Sequence, residues 1–214
     1  MKLSILATSF LTLVLANSAH SATTFTSDKV LFNNLTSTTL VEDFESIAPT
    51  PKDTAIASFT SNGITYTGLA GTPFPNVFVS SPGYTNYEPP GMTTSSILTG
   101  NGDEDYTLEF STAVTAVGFD TYINTSGPAM VSVFGNGGLL DTFNHSHDPA
   151  TVGFLGILAM EDIKSIRWTT TNGAVVNTGI DNIRTGAVIP IPAAAWLFGS
   201  TLLGLAGIGR RKQA

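Results

Sequence analysis

Tyr106-Thr107-Leu108-Glu109-Phe110-Ser111-Thr112-Ala113-Val114-Thr115-Ala116-Val117-Gly118-Phe119-Asp120-Thr121 is the stretch whose periodicity decides the fold. Tyr106, Leu108 and Phe110 alternate with polar Thr107 and Glu109, and Val117, Phe119 and Thr121 resume the alternation after Ser111-Thr112. A period of two puts the apolar set on one face of an extended chain. Two strands joined by a turn at Ser111-Thr112 are therefore expected. Downstream, residues 130–134 form an apolar, β-branched run, and Gly135-Asn136-Gly137-Gly138 supplies the positive φ angles of a tight hairpin leading into residues 139–143. Residues 152–158, 163–169 and 175–183 read as further strands, and residues 39–44, 57–66 and 76–80 as the upstream ones. Between the two ends of the chain no long segment carries sustained helical spacing. Many short strands separated by Gly, Pro, Asn and Ser predict an all-β fold, a jelly-roll β-sandwich.

Both termini read as targeting segments. Lys2 precedes an apolar run over residues 3–16, and Ala19-His20-Ser21 puts small residues at the −3 and −1 positions of a cleavage site after Ser21. That run is shorter than the roughly 20 residues of a membrane span, which favours a signal peptide over a retained anchor. At the other end no charge interrupts the sequence between Arg184 and Arg210, and Arg210-Arg211-Lys212 then follows. Such a run can enter a bilayer, and the basic cluster belongs on the cytoplasmic side, which places the preceding domain across the membrane. Three parts result: residues 1–21 as signal peptide, 22–186 as β-sandwich domain, and 187–214 as a sorting signal with a transmembrane helix. Residues 184–189 are expected to be an extended connection.

The order Ile189-Pro190-Ile191-Pro192-Ala193, then Ala194-Ala195-Trp196-Leu197-Phe198-Gly199, then an apolar run and Arg210-Arg211 resembles the PEP-CTERM sorting signals of Gram-negative bacteria. In the variant it resembles the motif reads Val-Pro-Leu-Pro-Ala, so Pro190, Pro192, Ala193, Trp196, Arg210 and Arg211 are the matching positions. The resemblance covers about the last 26 residues. It implies processing by exosortase, an integral membrane transpeptidase, transient anchoring through the C-terminal helix, and release to the cell surface or exopolysaccharide. A permanent anchor is the plainer alternative.

Once both signals are set aside, roughly 165 residues remain, enough for one domain with a sizeable core. Without Lys2, Arg210, Arg211 and Lys212 the mature part keeps five basic residues against sixteen acidic ones. That balance excludes nucleic acid, whose binding depends on neutralising phosphates. It is compatible with calcium, which takes carboxylate and carbonyl oxygens. The chain has no cysteine, which removes thiol catalysis, iron–sulfur clusters and cysteine-based zinc sites.

Asp43-Phe44-Glu45, Ala116-Val117-Gly118-Phe119-Asp120, Phe154-Leu155-Gly156-Ile157, Ile163-Lys164-Ser165-Ile166-Arg167-Trp168 and Gly179-Ile180-Asp181-Asn182-Ile183, in this order, resemble the galactose-binding-like jelly-roll modules frequent in PEP-CTERM proteins. That resemblance implies a structural calcium between the first core strand and the last, with Glu42, Glu45 and Asp181 at the matching positions. Asp181 is equally compatible with a solvent-facing turn.

Other constellations are weaker. Asn101, Asp103 and Asp105 offer oxygens in one loop, but the position of the bidentate Glu of an EF-hand is Thr112. His145-Ser146-His147-Asp148 brings two imidazoles close without an evident third ligand. No Gly-x-Ser-x-Gly elbow occurs and no carboxylate pair stands out, so no catalytic residue is assigned. Trp168 follows Ile163 and Ile166 on a strand and reads as packing. The Pro- and Gly-rich loop at residues 84–91 is the candidate ligand site, with Tyr84 and Tyr87 for stacking on sugar faces and Asn86 and Glu88 for hydroxyls. These tyrosines are also compatible with covering the sandwich edge. The expectation is an exported, non-catalytic structural or carbohydrate-binding protein; an extracellular polysaccharide hydrolase is the alternative.

Overall fold

The computed structural model describes residues 23–47, 56–69, 76–80, 95–100, 105–124, 127–170 and 178–189, and in it the alternating segments are strands. In chain order they are β1 (Thr23–Thr26), α1 (Lys29–Leu35), β2 (Thr36–Glu42), β3 (Ser58–Ser61), β4 (Ile64–Gly68), β5 (Val77–Ser80), β6 (Ile97–Gly100), β7 (Tyr106–Ile123), β8 (Ala129–Gly135), β9 (Gly138–His145), β10 (Gly153–Thr170) and β11 (Thr178–Val188). All strand pairs are antiparallel.

Two long strands, β7 and β10, organise everything else. The first part of β7 lies between β4 and the end of β10, which continues to β8 and β9. The second part of β7 lies between β11 and the start of β10, whose far side carries β1. Between these halves the register slips, at residues 110–113 of β7 and 159–162 of β10. Extra residues on one strand bend it and raise its twist, so both strands turn a corner here and contribute to two layers. Ser111, Thr112 and Ala113 are exposed at that corner. The turn expected at Ser111-Thr112 is thus a bulge within one strand, and the two strands expected at 152–158 and 163–169 are one strand for the same reason.

The core lies between the layers. Tyr106, Leu108 and Phe110 from one half of β7 share a buried cluster with Val117, Phe119 and Ile123 from the other half. Trp168 is fully buried, stacked on Tyr106 with centroids 6.2 Å apart and edge-on to Phe119 at 5.7 Å. The outer face of the second layer is covered by α1. Asp28 caps this helix by accepting from the backbone N–H groups of Val30 and Leu31 at 2.9 and 3.0 Å. Phe32 then lies over Gly118 and Gly156, where a Cβ would come within 2.8 and 2.5 Å of its ring. This short helix and strands β1 and β6 were not expected from the sequence.

Three further segments differ from expectation. Residues 57–66 are a hairpin, β3 and β4, turning at Asn62 and Gly63 with φ of 47° and 79°. Phe44 lies beyond β2, with φ of 58°. Residues 184–188 are no free connection: they complete β11, where Val188 pairs with Thr36. The proposed boundary at 186 therefore falls inside a strand. Among the described residues no helix is long and apolar enough to cross a membrane. Residues 1–21 and the segment from Pro190 onward, with its transmembrane reading, lie outside the described residues.

Candidate functional site

A cavity of about 480 Å³ opens where β1 gives way to α1, lined by Ser27, Lys29, Asp120, His145, His147, Val152, Gly153 and Phe154. Lys29 begins the helix, and its Nζ donates to Asp120 Oδ1 at 2.7 Å while lying 5.6 Å from the centre of the Phe154 ring. Asp120 reaches this position because the alternation of β7 turns Phe119 into the core and its successor outward. The second oxygen of Asp120 accepts from Asn182 Nδ2 at 3.1 Å.

Two imidazoles form the opposite wall. His145, the last residue of β9, is buried against Trp168, and its Nε2 lies 2.8 Å from Thr121 Oγ1. Burial, aided by the neighbouring His147, brings its pKa down from 6.5 to about 4, so the ring is neutral at pH 7. His147 Nδ1 lies 2.9 Å from the carbonyl oxygen of Asp148, which accepts only if Nδ1 carries the proton. Nε2 of His147, an acceptor in that tautomer of the neutral ring, is buried with no partner among the described residues. Gly153 makes the arrangement possible: a Cβ there would collide with His147 Cδ2 and lie 2.7 Å from Thr121 Oγ1.

The polar contacts continue away from the cavity through Asn182, whose Nδ2 also donates to Asp181 Oδ2 at 3.0 Å and whose φ is 51°. Asp181 faces Asp120 in register across β11 and β7, and it is buried rather than at a solvent-facing turn. Its carboxylate accepts from the Asn182 backbone N–H at 2.6 Å and from Ser95 Oγ at 2.8 Å. Burial raises its pKa to about 6; the Ser95 and Asn182 hydrogen bonds oppose this, and the charges of Asp120 and Glu45 add to it. Glu45 accepts from Ser96 N at 2.7 Å and Ser96 Oγ at 3.2 Å.

Of the residues assigned to calcium, Glu45 and Asp181 therefore come together across Ser95 and Ser96. Glu42 turns to the β3–β4 hairpin instead, accepting from Phe44 N at 2.8 Å and Asn62 Nδ2 at 3.1 Å. Among the described residues no three His, Asp or Glu side chains are grouped to hold a metal. His145 and His147 accordingly lack a third ligand there. Asp105 directly precedes β7, and its carboxylate accepts from the Thr170 N–H at 2.9 Å. Asn101 and Asp103 lie outside the described residues, as do the loop residues Tyr84, Asn86, Tyr87 and Glu88 and the sorting positions Pro190, Pro192, Ala193, Trp196, Arg210 and Arg211.

Lys29, Asp120, Gly153 and Phe154 were not anticipated as site residues. The one signal for them was an acid in the largely apolar second half of β7, Asp120 following Val117-Gly118-Phe119.

No family model matches the chain. No curated protein matches it either. Among solved structures it is similar to a variant of the family 29 carbohydrate-binding module CBM29-2 complexed with cellulohexaose, at 14% identity and a TM-score of 0.40, over 72% of this chain and 94% of that one. It is also similar to the module CBM29_1 from Piromyces equi, at 12% identity and a TM-score of 0.39, over 70% and 89% of the two chains. At TM-scores below 0.5 these likenesses decide nothing about the ligand, and the site is read from its own side chains.

Proposed function

We propose that this chain is an exported protein of the cell surface or exopolysaccharide, whose sandwich binds carbohydrate without cleaving it. The cavity beside Lys29 and Asp120 is the observation that supports this reading. A sugar hydroxyl both donates and accepts, and the cavity offers both roles: Asp120 accepts, Lys29 donates, the unpartnered Nε2 of His147 adds a further hydrogen-bonding atom, and Val152 and Phe154 supply an apolar wall. Its size lies within the usual range of roughly 300–1,000 Å³ for ligand sites. Among the described residues that line it, Asp120 is the one carboxylate and it is ion-paired, whereas glycosidases in most families work with two carboxylates flanking the bond. The loop at residues 84–88 extends the proposal as a second contact with the glycan.

The finer parts of the proposal rest on the sequence. A jelly-roll connection of the strands and exosortase processing of the C-terminal signal follow the two resemblances, and removal of residues 1–21 follows the order of Lys2, apolar run and small residues at the N-terminus. Calcium is proposed between Glu45 and Asp181, where a cation would relieve the repulsion that helps raise the pKa of Asp181.

Retention of the full chain on polysaccharide extracted from the source cells tests the binding reading. Lys29→Ala and Asp120→Asn should each weaken retention about tenfold or more, as expected for charge-assisted hydrogen bonds worth roughly 1.5–3 kcal/mol. Tyr84→Ala with Tyr87→Ala reports on the loop separately. Retention unchanged in all variants would remove both sites. Release of reducing ends by the wild-type chain would establish a hydrolase instead.

A further inference from the structure

A second cavity, about 210 Å³, lies at the other end of the first half of β10 and is lined by Thr24, Leu35, Leu158, Ala159, Met160, Val188 and Ile189. It is an apolar groove with an exposed rim: Met160 is 79% and Ile189 47% accessible. Leu31, 45% accessible, lies one helical turn before Leu35 and extends the same side of α1. Solvent-exposed side chains of this kind, gathered around one groove, mark a contact surface rather than scattered exposure.

The covalent chain identifies what it contacts. Ile189 is held to the domain by donating its N–H to the Leu35 carbonyl at 2.8 Å, and it lines the groove. It is also the first residue of the Ile189-Pro190-Ile191-Pro192 sequence, inside the run without charge between Arg184 and Arg210. No linker separates the groove from that run. If the run spans a bilayer, the groove stands at the bilayer surface by connectivity alone. We infer that the groove rim, Met160 and Ile189 with Leu31 and Leu35, rests in the outer interface of the membrane that the C-terminal run enters, and fixes the domain upright on it. This inference rests on the membrane reading of residues 190–209.

The orientation has a consequence for the proposed sugar site. Phe154 and Met160 are six residues apart on β10, which at about 3.3 Å per residue is roughly 20 Å. The membrane contact and the carbohydrate cavity therefore occupy opposite ends of one strand segment, and the docked domain holds its cavity away from the lipid. Glu161, beside Met160, is exposed. This acid at the rim would repel anionic lipid, so neutral phosphatidylcholine is the probe for the apolar contact.

The absence of native cysteine allows a direct test on the full chain reconstituted in phosphatidylcholine vesicles. Single Met160→Cys, Val152→Cys and Leu203→Cys variants carry an environment-sensitive fluorophore, and quenching is read with lipids bearing nitroxides at shallow or deep acyl positions. The label at position 203 should lose emission to the deep quencher, the label at 160 to the shallow one, and the label at 152 to neither. Quenching at 203 with position 160 behaving like 152 would overturn the docking and leave the membrane span standing. No quenching at 203 would overturn the span and the docking with it. Shielding of position 160 that appears only as protein concentration rises would assign the groove to a second copy of the chain, and overturn the lipid assignment.

Discussion

Acidification pits two buried titratable groups against each other, and substituting either one exposes the other. Burial and the adjacent His147 hold the pKa of His145 at about 4 instead of 6.5. Between these values the unfolded chain takes up a proton that the folded chain refuses. The number of protons bound is then greater in the unfolded state, so stability is lost as pH falls from about 6.5 to about 4. A tenfold change in proton affinity is worth about 1.4 kcal/mol, which makes this loss about 3 kcal/mol. Asp181 works in the opposite sense. Its pKa of about 6 against 3.8 means that the folded chain takes the proton first, so stability is gained as pH falls from about 6 to about 3.8. On the same scale that gain is also about 3 kcal/mol.

The two windows overlap, so their contributions largely cancel in the wild-type chain between about pH 4 and 6. His145→Gln removes the first and leaves Asp181, whereas Asp181→Asn removes the second and leaves His145. Urea unfolding of the full chain at pH 4, 5, 6 and 7 measures the difference, and comparison with wild type cancels the carboxylates common to all three proteins. On going from pH 7 to 4, His145→Gln should gain about 3 kcal/mol relative to wild type and Asp181→Asn should lose about as much. Three parallel stability curves would refute the account of both groups. A sign reversal in one variant alone would refute the environment assigned to that residue.

Gly186→Ala should cost about 1–3 kcal/mol, because a Cβ there collides with the backbone carbonyl oxygen of Ser37 and comes within 2.8 Å of Thr38 Cα, and the paired strand β2 cannot give way as a flexible side chain would; thermal unfolding measures it, and an unchanged midpoint would refute the close approach of β2 and β11. Saturating calcium at about a hundredfold excess over Kd should raise stability by about 2.7 kcal/mol in the wild-type chain and not in Glu45→Gln, with equal melting temperatures in calcium and chelator counting against the proposed site. Mass spectrometry of the exported product should find no peptide from residues 196–214; recovering that segment would favour a permanent anchor over a sorting signal.

The sequence announces its layers well and its corners poorly, and the physical reason is visible in β7. Alternation reports which face a residue points to, and Tyr106, Leu108 and Phe110 do enter the core with Val117, Phe119 and Ile123. What separates them, Ser111-Thr112-Ala113, is polar or small in a turn and in a bulge alike, so composition alone does not tell a chain reversal from a strand that bends into a second layer. The β3–β4 hairpin was legible in principle, since Asn62-Gly63 is the residue pair that a two-residue hairpin turn favours. The helix α1 is seven residues long and held by a cap and by Phe32 packing onto two glycines, which is too short for its period to register.

The candidate site was hidden for a different reason. Asp120 meets Lys29 across 91 residues of sequence and meets Asn182 across 62. Such pairings are set by which strands lie side by side, and one chain carries no local trace of that choice. Local signals singled out His145 and His147 because they are neighbours in sequence, but offered no third ligand for a metal. The sheet supplies them with Thr121 and Gly153 instead, a hydroxyl and a missing Cβ. A pair of imidazoles in sequence is thereby turned into one buried neutral ring and one ring that lines a polar cavity with its Nε2 unpartnered.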